Sequence, residues 1–169
     1  MKTEIRRKER IMNSTAEMEL LLKTAAVGRM ALSTPQGPYL VALNHLYLDG
    51  DIYFHSAMQG RKVEALQLDP RVCFMVDEVG PQVTWEKGCG ISQIYRSVIC
   101  FGRAEFVEDA AEKQRILQAM VTKLVPAGFA YRPLNAENIA RTTIVRIVVE
   151  EMTGKENPLS SFHTVLKHS

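Results

Sequence analysis

The chain has 169 residues, enough for one domain with a real core, and its apolar content is that of an ordinary globular protein rather than a disordered one. Its 21 basic and 19 acidic side chains leave a formal charge of +2, which excludes a global electrostatic footprint for nucleic acid. No apolar run approaches a membrane span, the charged N-terminus lacks the apolar segment of a secretory signal, and Cys73, Cys89 and Cys100 (odd in number, with no Cys-x-x-Cys) read as reduced thiols of a cytoplasmic protein without a zinc site.

Residues 1–13 form a basic arm with Arg6, Arg7, Lys8 and Arg10. It reads either as a solvated arm packed over the domain or a neighbouring subunit, or as a weak nucleic-acid contact. Ser14 with Glu17 is a capping box that opens a helix to Ala26. Met18, Leu21, Leu22, Ala25 and Ala26 share its apolar face, and Gly28 is its stop. Arg29 to Ser33 alternates as a strand, and Pro35 to Pro38 is a turn. Tyr39 to Leu48 reads as one long strand. Asp49-Gly50 is a hairpin signal, and Asp51 to His55 returns beside it. Asn44 and His45 then fall mid-strand among apolar neighbours, where the Asn44 amide needs either a ligand edge or a backbone partner.

The strand ends in His55 and Ser56, a short loop carries Gly60, and Arg61 and Lys62 open a helix that Pro70 closes. Two cations at a helix start suit a phosphate: the first-turn N–H groups are free there, the dipole is positive, and arginine offers a planar fork. The plainer alternative is a pair of solvated helix residues beside a satisfied histidine.

Arg71 to Val76 is a strand. Asp77 to Gln93, with Gly80, Pro81, Gly88 and Gly90, reads mainly as a long connection whose Trp85 either covers a pocket or caps the core. Ile94 to Val107 is a strand with Gly102 at a bulge or bend of the kind a closing barrel requires. Asp109 with Glu112 caps a helix to about Lys123, Asn135 to Ala140 is one helical turn, Thr143 to Met152 is the last strand, and 157–169 is a polar tail. The count is about six strands and three or four helices, an α+β domain over 14–156 with strands enough for a small barrel. Neither a Rossmann glycine pattern nor a P-loop is present.

Three runs carry a resemblance: Asp49 to Lys62 (DGDIYFHSAMQGRK), Asp69 to Phe74 (DPRVCF) and Arg96 to Asp109 (RSVICFGRAEFVED). With Val27 to Leu32 and the closing Met152 to Lys155, they resemble the FMN-binding split-barrel flavoproteins related to pyridoxamine 5′-phosphate oxidase, in particular the nitroimidazole-resistance branch. The resemblance spans roughly residues 5–156. It implies a six-stranded antiparallel split β-barrel with flanking helices that works as a homodimer, with FMN in the groove between subunits. On that likeness Arg61 and Lys62 hold the FMN phosphate with Ser56 beside them, Val41, Ala42, Leu43 and Asn44 line the flavin, and His55 lies near its ring. Tyr95 and Ser97 reach the cleft from the partner chain, and Trp85 belongs to the substrate side. The implied activity is an FMN-dependent oxidoreductase that takes electrons from NAD(P)H to a small oxidised acceptor such as a nitroimidazole. His55 is its candidate catalytic residue, either positioning the acceptor or giving a proton, or else a structural hydrogen bonder. The competing reading is a non-enzymatic carrier or sensor of flavin or haem, with His45, His55, His163 or His168 as an axial ligand.

Overall fold

A computed structural model describes residues 6–83 and 92–157. Seven strands and four helices follow one another: α1 (Thr15–Thr24), β1 (Gly28–Thr34), β2 (Gly37–Leu43), β3 (Leu46–Leu48), β4 (Asp51–Ser56), α2 (Arg61–Leu68), β5 (Arg71–Val83), β6 (Ser92–Val107), α3 (Ala110–Leu124), α4 (Ala136–Ala140) and β7 (Thr143–Asn157). Every strand pairing is antiparallel, in the order β2-β1-β5-β6-β7-β4-β3. The strand count is seven, not six, because the run Tyr39 to Leu48 is two strands. Its first part pairs with β1 through the Pro35-Gln36 turn; its second pairs with β4 through Asp49-Gly50.

That split closes the sheet. Laid flat, seven strands would put β2 and β3 roughly 29 Å apart. Only Asn44 and His45 join them, and three Cα–Cα steps span at most about 11 Å. The sheet must therefore curl until its two edges meet. No ladder joins β2 to β3, so the barrel is split along that seam.

Local chemistry sets most boundaries. Ser14, Asp109 and Asn135 each accept a hydrogen bond from the backbone N–H three residues on, at 3.2, 2.7 and 2.8 Å, as N-caps do. Asp49 and Gly50 both have positive φ, 54° and 88°, the type I′ geometry that matches the strand twist. The expected long connection after Val76 is shorter than read, because β5 continues to Val83 and pairs with β6. Gly80 and Pro81 sit where the register shifts between Val79 and Gln82, so the missing proline N–H costs no ladder bond. Likewise β7 runs on past Met152 to Asn157. Gly154 makes room there: a Cβ would stand 2.6 Å from the Met18 sulfur and 2.8 Å from Met12 Cβ. The arm passes through that space, with the Met12 N–H donating to the Gly154 carbonyl at 3.0 Å and Met12 buried in the core.

Two apolar clusters hold the barrel. One joins Leu21 and Leu22 of α1 to Met30, Phe54, Phe74, Val98 and Ile147; the other packs Ile116, Leu117 and Met120 of α3 on Tyr53 and Ile144. Strand β4 sends alternate residues into both, which explains its unbroken apolar run.

His45, at the seam, is fully buried rather than half-exposed on a strand. Its Nε2 lies 2.8 Å from the Leu22 carbonyl, its ring meets Phe74 edge-on at 5.1 Å, and its own carbonyl accepts from Lys123 Nζ at 2.9 Å. Burial, with the nearby Lys123 charge, lowers its pKa from 6.5 to about 4. The folded state thus keeps the imidazole neutral while the unfolded chain binds a proton below pH 6.5, so stability rises with pH across that window. We expect unfolding free energy to be full above pH 6.5 and to fall by on the order of 3 kcal/mol on acidification toward pH 4. Urea melts across that range check it, and His45→Gln should remove His45's share of the slope.

Candidate functional site

The helix α2 begins without a side-chain cap. Gly60 is its N-cap at φ 121°, a conformation that only glycine adopts freely, and the first backbone bond is Glu64 N–H to the Gly60 carbonyl at 3.1 Å. Val63, Ala65 and Leu66 anchor the helix in the core, which leaves the first turn facing outward. Arg61 and Lys62 lie in that turn. Neither comes within 4.0 Å of a carboxylate among the described residues. Aromatic rings hold the two cations instead. The Arg61 guanidinium carbon sits 4.3 Å from the centroid of Tyr39 on β2, and Lys62 Nζ sits 5.1 Å from that of Phe54 on β4. An aromatic face attracts a cation without neutralising it. Burial lowers the Lys62 pKa, which marks a half-enclosed ammonium with no acid to offset its desolvation.

The Tyr39–Arg61 contact brings the edge strand β2 against the start of α2. Val41 and Leu43 point inward and pack on the core, while Ala42 and Asn44 are exposed. Asn44 is not mid-strand as expected; it leaves β2 at the seam, and its amide faces solvent. His55 and Ser56 end β4, paired with Ile144 and Thr143, with His55 exposed and Ser56 half-buried. Cations, strand edge and hydroxyl thus lie on segments that meet around one helix start, while His55 shares the β4 face of Tyr53, opposite Phe54.

Tyr95 and Ser97 are elsewhere in the single chain. Ser97 lies between Asp77 and Lys155 and donates to the Lys155 carbonyl at 3.3 Å. Tyr95 lines a separate hollow of about 170 Å³ with Glu78, Ile94, Arg96 and Glu156, which shares no residue with the start of α2. Arg96, whose direction the sequence left open, pairs with Glu78. Trp85, His163 and His168 lie outside the described residues. His45 is enclosed, with Nε2 engaged by the Leu22 carbonyl and Nδ1 buried without a hydrogen-bond partner among the described residues. No group of three His, Cys, Asp or Glu converges among the described residues, and no helix there is long and apolar enough to cross a membrane. The sequence reading missed Tyr39 and Phe54. Both read as ordinary strand aromatics until the fold sets them beside the cations.

A second surface has no covering element among the described residues. Ala31, Cys73 and Phe101 pair in one row across β1, β5 and β6, out of phase with the core row Met30, Phe74 and Cys100, and therefore on the opposite face. They line an open hollow of about 410 Å³.

The pyridoxamine 5′-phosphate oxidase family matches this chain over residues 14–156. Among solved structures, a candidate 5-nitroimidazole antibiotic resistance protein from Bacteroides thetaiotaomicron is 25% identical, with 86% of each chain covered and a TM-score of 0.73. An FAD-binding protein from Mesorhizobium loti is 28% identical over 88% of this chain and 98% of that one, at a TM-score of 0.62. The flavocytochrome Anf3 from Azotobacter vinelandii shares the fold at a TM-score of 0.82, with 21% identity over 92% of this chain and 72% of that one. No protein of curated function matches.

Proposed function

Because this chain belongs to the pyridoxamine 5′-phosphate oxidase family, we propose that it is an FMN-dependent oxidoreductase, working as a homodimer, that passes electrons from NAD(P)H to a small oxidised acceptor, with 5-nitroimidazoles as the first candidates. The observation that carries the reading is the pair Arg61 and Lys62 at an uncapped helix start, held on aromatic rings and matched by no carboxylate among the described residues. A dianionic phosphate is the ligand that fits this arrangement.

The flavin, when bound, supplies the redox chemistry; the protein supplies binding and orientation. Arg61 meets the phosphate with its planar fork, Lys62 adds a point charge, and Ser56 and the first-turn N–H groups of α2 complete the donor set. Among the described residues strand β2 pairs only with β1, so at alternate positions along Val41, Ala42 and Leu43 its other edge leaves main-chain donors and acceptors for the polar rim of a ring. The exposed Asn44 amide extends that edge. His55, exposed at the end of β4, positions the acceptor or delivers a proton to it.

A second copy would bring Tyr95, Ser97 and Trp85 to the site. Two observations support this: the Tyr95 hollow shares no lining residue with the start of α2 within one chain, and among the described residues no element covers the half-buried row Ala31, Cys73 and Phe101.

An absorbance spectrum and a light-scattering mass of the purified protein test the proposal together. We expect a yellow dimer that releases FMN on heating and oxidises NAD(P)H when a nitroimidazole is added. His55→Gln should keep its flavin and lose turnover by roughly 100-fold, the low end of what a positioned proton donor contributes. A colourless protein that refuses added FMN overturns the reading, and a monomer that holds FMN tightly overturns the shared groove.

A further inference from the structure

We propose that Tyr39 is a positioning residue for the flavin phosphate, acting through Arg61; the inference rests on the phosphate reading of the start of α2. Arg61 is exposed, long and without an acidic partner among the described residues, so nothing but the ring beneath it limits where its guanidinium goes. That ring is itself fixed. Tyr39 sits on β2 opposite the buried Leu32 of β1, half-buried and packed against the core. The Arg61 guanidinium carbon lies over the Tyr39 ring at 4.3 Å, and a ring face attracts the cation without acting as the oxygen acceptor its N–H donors seek, which leaves donors for phosphate oxygens. A carboxylate partner would do the opposite: it would occupy the fork and cancel the charge. The aromatic seat therefore orders the side chain before the ligand arrives and reduces the rotamer freedom lost on binding.

Lys62 shows the same design with a different ring, Phe54, which is fully buried. Tyr39 differs because it stands on the strand whose free edge faces the flavin in the proposed site. It ties the phosphate end of the site to the ring end.

The consequence is specificity for a phosphorylated flavin. Riboflavin lacks the group that Arg61 meets, so a defect in Arg61 positioning weakens FMN and spares riboflavin. Fluorescence titration of the full chain with FMN and with riboflavin measures this. We expect Tyr39→Leu to lower FMN affinity about 3- to 30-fold, the range of a cation–π contact, with riboflavin affinity unchanged. Tyr39→Phe, which keeps the ring, should bind FMN as the parent does. In an Arg61→Ala background, Tyr39→Leu should cause no further loss.

The outcomes separate the two claims. A parent protein that binds riboflavin as tightly as FMN overturns the phosphate reading and this inference with it. A parent that prefers FMN, with a Tyr39→Leu variant that keeps the full preference, overturns the role of Tyr39 alone. Equal loss of both ligands makes Tyr39 merely structural, and a Tyr39→Phe variant as defective as Tyr39→Leu assigns the effect to the hydroxyl instead. Should Tyr39→Leu fail to fold by circular dichroism, Tyr39→Gln takes its place, and the Tyr39→Phe comparison stands in either case.

Discussion

The double variant Arg61→Ala, Lys62→Ala is expected to lose FMN affinity by about 10²- to 10⁴-fold while the apoprotein melts no earlier than the parent. The first half follows from the contacts removed. Each charge-assisted hydrogen bond to an anion is worth about 1.5–3 kcal/mol, and two of them convert to that range of affinity. The second half follows from where the charges sit. Cations in the first turn of a helix oppose its dipole, at about 0.3–1 kcal/mol each when exposed, which offsets the roughly 0.5–1 kcal/mol that each lost ring contact contributes. Lys62 also bears a desolvation cost that lowers its pKa, and alanine is the better helix former. The residues that hold α2 to the core, Val63, Ala65 and Leu66, are untouched. A stability-neutral or stabilising change that abolishes binding is the signature of residues kept for a ligand. Thermal melts of the apoprotein and FMN titration are the two readouts. FMN affinity equal to the parent's would sink the phosphate assignment, and a large fall in melting temperature would make the pair structural.

What the sequence disclosed was local. The hairpin at Asp49-Gly50 was legible because type I′ geometry needs positive φ at both positions, and few residue pairs supply it. The caps Ser14, Asp109 and Asn135 were legible because a short side-chain oxygen three residues before a free N–H is a complete interaction in itself. The cations at 61 and 62 were legible for the same reason: a strand, a glycine and a helix start place them without reference to the rest of the chain.

What stayed hidden depends on distant parts of the chain. Apolar spacing from Tyr39 to Leu48 does not distinguish one strand from two, because both halves are strands. The break at Asn44-His45 exists only because β2 and β3 pair at opposite ends of the sheet. Gly80 and Pro81 looked like loop because a proline in a ladder normally costs a hydrogen bond; the register shift removes that cost and becomes visible only once β6 lies alongside. At the site, the aromatic seats of Arg61 and Lys62 each join a strand residue to a helix residue, so no single period along the sequence relates the partners. The burial of His45 has the same origin. Its partners Leu22, Phe74 and Lys123 come from three separate elements.

Gly102→Ala should be the most damaging single methyl that the barrel can receive at its bulge. In β6 and β7 the register steps from Phe101↔Glu151 to Gly102↔Val149, so Glu150 is the extra residue and β7 bends over Gly102. A Cβ there would stand 2.1 Å from the Val148 carbonyl oxygen and 3.0 Å from its carbon. Both are backbone atoms, so no rotamer change relieves the contact and the two strands must part. The separation then reaches Asp51, which is buried across the bulge. Its carboxylate accepts from the Val149 N–H at 3.1 Å and from Arg146 Nε at 2.7 Å. Disturbing this half-buried, hydrogen-bonded ion pair, whose carboxylate is the buried partner, adds to the overpacking. We expect a loss of at least about 3 kcal/mol, or roughly 6–12 °C in melting temperature for a domain of this size. Gly128→Asn is the control: Gly128 has a positive φ, 80°, but nothing lies within 4 Å of its Cβ position, and asparagine tolerates that conformation. Urea and thermal melts of the two variants decide the matter. A Gly102→Ala protein within about 2 °C of the parent would mean that β6 and β7 yield at the bulge. Closure would then rest on the seam at Asn44-His45 rather than on the bend in the longest strands. The expected result places the strain of closure at Gly102, where β-strand geometry demands a residue with no side chain at all.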